Sequence, residues 1–111
     1  MKLLTKEMRL KMPPLYSNED NPDPMVVAKF FTPDSSWTWY VIEGGPETND
    51  NGEEVDYIFF GYVVGLEKEL GYFSLRELES VRGPLGLKIE RDLYFKPVLL
   101  SEVVRQHGGR R

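Results

Sequence analysis

The run Tyr57–Val64 (YIFFGYVV) constrains the fold more than any other part of the chain. Alternate residues of a strand point to opposite faces, so Tyr57, Phe59, Gly61 and Val63 would form one face and Ile58, Phe60, Tyr62 and Val64 the other. Both faces are apolar. A strand wetted on one side alternates with polar residues, whereas this one predicts a central strand with packing layers on both sides. Gly61 inside the run signals a bulge or the close approach of a large neighbour, with the tryptophans as candidates.

The run leads into a helix start. Gly65 closes the strand, Leu66–Leu70 (LEKEL) reads as a charged turn, and Gly71–Phe73 as a short extended piece. Ser74–Glu77 (SLRE) then fits a capping box: the Ser74 hydroxyl accepts from the Glu77 amide while the Glu77 carboxylate reaches back to the Ser74 amide. Phe73 and Leu78 match the accompanying hydrophobic staple. Leu75, Leu78 and Val81 form the stripe to be buried, and Gly83 is the expected left-handed cap. A helix of about two turns does not hold alone, so packing must pin it.

Upstream, Thr5 suits an N-cap for a helix over Lys6–Lys11, which Pro13 and Pro14 stop. Ser17–Pro24 (SNEDNPDP) is a loop of turn formers and acids. Met25–Phe31 (MVVAKFF) and Trp37–Ile42 (WTWYVI) read as strands joined by the turn Thr32–Ser36 (TPDSS), with Pro33 and Asp34 at its centre, which implies an antiparallel hairpin. Val26, Ala28 and Phe30 should share one face of the first strand. On the second, Trp37, Trp39 and Val41 share one face and Thr38, Tyr40 and Ile42 the other. Residues 43–55 (EGGPETNDNGEEV) are expected to form a mobile acidic loop. Lys88–Phe95 (KIERDLYF) has no purely apolar face and suits an edge strand. Leu99, Leu100, Val103 and Val104 have helical spacing, and residues 107–111 (HGGRR) are expected to form a frayed basic tail.

These elements predict a single α+β domain over residues 1–111, with a mainly antiparallel sheet of about four strands and short covering helices. The absence of cysteine removes disulfides, thiol chemistry and sulfur-ligated zinc. No apolar run is long enough to span a bilayer as a helix, and the N-terminus has no signal-peptide core, so no membrane partner is expected. Residues 18–56 carry ten acids against one base. That acidic middle does not resemble a phosphate-binding footprint.

Chemistry-bearing patterns are few. No phosphate loop or nucleophile elbow occurs, and the one histidine, His107, lies beside a glycine tail that would not hold a general base rigidly. Glu90 and Asp92 share a strand face and would be the carboxylates of a hydrolase, with solvated or ion-paired acids the plainer reading. Arg91 is expected to turn inward onto a buried acid. The acids of residues 43–54 match no calcium-loop spacing, so neither a metal nor another cofactor is expected. Trp37, Trp39 and Tyr40, with Asp34 in the adjoining turn, are the candidate binding residues. Their rings are more readily core or cross-strand packing than a ligand platform, yet they are what a nucleic-acid-binding module would use to stack bases. The leading expectation is a non-enzymatic interaction protein acting through a protein partner.

The segments TPDSSWTWY, IFFGYVVGLEKELGYFSL, ELESVRGPLG and IERDLYF together resemble a bacterial family, the domain of unknown function twenty-nine fifty-eight. The resemblance runs from MKLLTKE to LSEVV, and the phrase RGPLGLKIERDLYF is its most specific part. It implies a small cytoplasmic protein of plasmids and integrative elements, an accessory gene product often encoded near conjugation or antirestriction genes. It carries no established activity, so no catalytic or binding residue is transferred from it.

Overall fold

The computed structural model describes residues 1–109, so Arg110 and Arg111 of the expected tail lie outside the described residues. In chain order the elements are helix α1 (Lys6–Lys11), strands β1 (Met25–Val26), β2 (Ala28–Phe31), β3 (Thr38–Thr48), β4 (Glu54–Val64) and β5 (Lys68–Ser74), helix α2 (Leu75–Ser80), strands β6 (Glu90–Arg91) and β7 (Val98–Leu99), and helix α3 (Leu100–Gln106). One antiparallel sheet has the order β5-β4-β3-β2-β6, and β1 pairs with β7 in a separate ribbon. The chain is therefore α+β as expected, with five strands in the main sheet rather than four.

The apolar run is the inner half of β4, between β3 and β5, and it is covered on both faces. Tyr57 and Phe59 join Phe30, Trp39, Val41 and Phe73 in one core, which Leu3, Met12 and Leu78 close from the side of α1 and α2. Tyr62 and Val64 join Tyr40 and Ile42 in a second core, closed by Val26 of β1 and by Leu100, Val103 and Val104 of α3. Phe30, Phe59, Ile42, Leu78 and Leu100 are fully buried. Each such side chain contributes about 1.5–3 kcal/mol relative to exposure. Gly61 is required because a Cβ there would run into the Tyr40 carbonyl; the close neighbour is backbone, not a tryptophan.

The helix starts form as their sequences predict. The Thr5 hydroxyl accepts from the Met8 amide at 3.2 Å. Ser74 Oγ accepts from the Glu77 amide at 3.1 Å and Glu77 Oε1 from the Ser74 amide at 3.2 Å, while Phe73 and Leu78 are buried in the same core. Arg9 of α1 pairs with Glu54 and lies 5.0 Å over the Tyr57 ring, tying the helix to β4.

Elsewhere the strands depart from expectation, each for a physical reason. The acidic segment is mostly ordered pairing: β3 runs to Thr48 and β4 begins at Glu54, leaving a tight turn at 49–53. Asn49 Oδ1 accepts the amides of Asn51 and Glu53, and Gly52 supplies a φ of 79°. Gly44, Gly45 and Pro46 are tolerated because β2 reaches only as far as Val41, so the missing Pro46 amide breaks no ladder on that side. The LEKEL segment is divided: Lys68, Glu69 and Leu70 already belong to β5, whose charges suit a sheet edge. Of Lys88–Phe95, only Glu90 and Arg91 form a strand, at the opposite edge, while Lys88 makes a lone bridge to Arg82. The first hairpin strand is interrupted at Val27, so Val26 faces the α3 core while Ala28 and Phe30 face the other. Of the stripe predicted to close the chain, Leu100, Val103 and Val104 are buried on α3, whereas Leu99 is exposed in β7.

Helix α2 ends with Val81 in an extended conformation, and Gly83 does not adopt the expected positive φ; Gly86 does, at 81°. Position 83 needs glycine for another reason, since a Cβ there would overlap the Asp34 carboxylate.

Candidate functional site

The residues singled out from the sequence take separate structural posts. Asp34 Oδ2 accepts from the Leu85 amide at 2.8 Å, so this carboxylate ties the first hairpin turn to the loop after α2. Its Oδ1 is buried against Gly83 with no hydrogen-bond partner. Trp39 is buried in the α1/α2 core, and Trp37 stacks on it at 5.8 Å and 26° while covering Gly65. Tyr40 is buried on the α3 side. The three rings thus lie on two faces of the sheet, and Trp37 alone among them keeps a substantial exposed area, at 36%. Glu90 is exposed, whereas Asp92 is half-buried and 3.8 Å from Lys29, so the two carboxylates do not converge. Arg91 Nε meets the Lys2 carbonyl at 3.3 Å rather than a buried acid. Among the described residues, no three His, Asp or Glu side chains are grouped to hold a metal.

The buried acid is Glu43, which pattern reasoning placed in a loop. A bulge between Val41 and Glu43 resets the β3 register, so that Glu43 pairs with Phe60 and, with Ile42, lines the α3 side of the sheet. Its residue is 4% exposed, and its two oxygens accept the amides of Tyr16 and Asn18, each at 2.8 Å. Pro13 accepts from the Gly44 amide at 2.9 Å, so the segment after α1 lies along β3 where β2 has ended. Tyr16 is held at a φ of 70°, a left-handed conformation that is uncommon for an aromatic residue. The strain sets its ring 6.4 Å from Tyr72 of β5.

These contacts build one end of a groove along the outer strand β5. Across the sheet Glu43 pairs with Phe60 and Phe60 with Tyr72, whose rings are 4.9 Å apart. With Tyr16, Ile42, Leu70 and Leu100 they enclose a hollow of about 250 Å³. Leu70 also lines a second, shallower hollow of about 390 Å³, together with Tyr62, Lys68 and His107. Leu70 and Tyr72 are 39% and 56% exposed, although they stand beside a covered sheet.

His107 closes the far end, and it is held more firmly than its glycine neighbours suggest. It caps α3, its carbonyl accepts from Lys68 Nζ at 2.5 Å, and its Nε2 lies 2.7 Å from the Tyr40 hydroxyl. Burial, with Lys68 and Lys29 nearby, lowers the His107 pKa from 6.5. Burial, with Asp92 and Tyr62 nearby, raises that of Tyr40. Both groups are therefore neutral near pH 7, and a neutral hydrogen bond joins the Tyr40 hydroxyl and Nε2. Nothing in the local sequence signals the Glu43 or Tyr40–His107 contacts, because their partners lie 27, 25 and 67 residues away.

No curated protein and no solved structure matches the chain. A family model does match, over residues 3–106, and it bears the description "Protein of unknown function (DUF2958)". The match spans both cores and the hollow beside Tyr72, ending just before His107, and the chain belongs to that family.

Proposed function

We propose that the protein is a non-enzymatic accessory protein of a bacterial mobile genetic element, working in the cytoplasm through a protein partner that docks on the outer edge of β5. The observation that carries this reading is the state of that edge. β5 is the terminal strand of the sheet, and among the described residues no backbone group outside β4 pairs with it. A row of unpaired amides and carbonyls is a template for another strand, which proteins usually blunt or cover. Here the charges Lys68 and Glu69 blunt one end, while Leu70 and Tyr72 remain exposed toward the groove. Strand addition to such an edge draws affinity from main-chain hydrogen bonds and specificity from side-chain pockets. The mobile-element setting follows from what the family resemblance implies.

The test is site-specific photocrosslinking in a bacterial host that carries the element. With p-benzoylphenylalanine replacing Tyr72, irradiation is expected to yield one discrete protein adduct. The same group replacing Arg76, on the exposed side of α2, should not yield it. No adduct at Tyr72, or the same adducts from both positions, refutes docking at this edge.

A further inference from the structure

The hollow beside Tyr72 has a narrower chemistry than a general apolar groove. Three rings border it at tilted angles, with Phe60 against Tyr72 at 53° and Tyr16 against Tyr72 at 55°. The charged side chains lining it are Glu19 and Glu43, and no lysine or arginine lines it. Glu43 spends both oxygens on backbone amides and has no cationic side-chain partner among the described residues. Ring faces are electron-rich, and their attraction for a cation grows as water is excluded. Tilted rings together with carboxylates make a receptor for an organic cation. The left-handed Tyr16 serves this arrangement, because backbone strain is kept where it orients a functional group.

The geometry points to a receptor for one lysine or arginine side chain, presented by the partner segment that adds to β5. This inference rests on the docking reading above and deepens it. The choice of a side chain over a free small cation comes from position: Leu70 and Tyr72 belong both to the edge strand and to the lining of the hollow. An added strand would lie about 4.8 Å beyond β5. A long basic side chain on its groove face can then fold inward over Tyr72 toward Glu19. The exposed acids Glu19 and Asp20 on the neighbouring loop complement a basic segment in the same direction.

Isotope-labelled full-length protein is titrated by NMR with the strand-forming peptide Ac-Thr-Val-Arg-Val-Thr-amide, with its Gln counterpart, and with n-butylguanidinium alone. The expected result is that the Arg peptide shifts the Tyr16, Phe60 and Tyr72 ring signals together with the β5 amides, at least about tenfold more tightly than the Gln peptide. Glu19→Gln and Tyr16→Ala, both at exposed positions, should shrink that ratio. Equal affinity of the two peptides overturns the cation receptor while leaving β5 docking intact. Ring shifts from n-butylguanidinium without β5 shifts from the peptide identify a free-cation site and overturn the committed source. β5 shifts that grow with protein concentration alone assign the edge to a second copy of the chain and likewise overturn it. A Tyr72 adduct whose contacting segment carries no basic residue sinks this inference and not the docking.

Discussion

Replacing Glu43 with glutamine tests how the groove is built. The carboxylate binds two amides, and charge-assisted bonds of this kind contribute about 1.5–3 kcal/mol each. Glutamine keeps one acceptor oxygen, weaker than before, and turns an NH₂ toward the other amide. The gross loss is then about 3–4 kcal/mol. Part of it returns, because Tyr16 is released from a left-handed conformation that costs about 1–2 kcal/mol. The net destabilisation is therefore about 2 kcal/mol. For 111 residues that corresponds to a fall of about 8 °C in Tm. Urea unfolding should show the lower midpoint at unchanged slope, and the Tyr16 and Asn18 amide resonances should lose their exchange protection. The strain part has its own check. Glycine accepts the Tyr16 φ without cost, so in a Tyr16→Gly background nothing is returned and Glu43→Gln should cost about 3–4 kcal/mol. A single-mutant loss under about 0.5 kcal/mol would refute the bonding argument, and strict additivity of the pair would refute the strain argument.

Three further outcomes follow from the contacts described. Ser74→Ala removes the α2 cap and should cost about 1 kcal/mol in urea unfolding; a neutral result would show that packing alone fixes the helix start. Gly83→Ala forces a methyl onto the Asp34 carboxylate and should cost about 1–3 kcal/mol. Combined with Asp34→Ala it should cost clearly less than the sum of the two, and additivity would remove the account of why glycine stands there. Because the folded His107 pKa is lowered, the unfolded chain binds the extra proton first as pH falls below about 6.5. Stability should accordingly decline from about pH 6.5 downward until the lower folded pKa is passed, and His107→Gln should flatten that slope. An identical slope in both proteins would show that the histidine is not the titrating group.

The legible parts of this fold are those whose partners are near in sequence. The Ser74–Glu77 box, the Thr5 cap and the hairpin from Phe31 to Thr38 are set by residues a few positions apart, and all form as read. The double-sided burial of β4 was legible too, since an uninterrupted apolar run has few other uses. Reading failed where composition and pairing pull in opposite directions. Gly44, Gly45 and Pro46 look like loop, yet they lie on a stretch of β3 that β2 never reaches, where strand breakers cost little. The site was largely illegible. Glu43 reads as one acid among many until the chain brings Tyr16 and Asn18 beside it, and Tyr72 reads only as part of a short extended piece until β5 turns out to end the sheet. Asp34, read as a binding candidate in the hairpin turn, ties that turn to the loop beyond α2, a connection across 51 residues that no local pattern carries.

The interruption at Val27 has a consequence for how the molecule comes apart. Val26 is sealed in one core and Ala28 in the other, and the amide between them donates to the Val41 carbonyl at 2.8 Å. The side chains flanking Val27 thus anchor in opposite faces of the sheet, like a stitch through two layers. Neither layer can peel away without pulling that stitch, so the layers should melt together instead of in stages. Hydrogen exchange would register this as equal, maximal opening energies at Val27 and at the buried amides of β3 and β4, with β5 opening well below them.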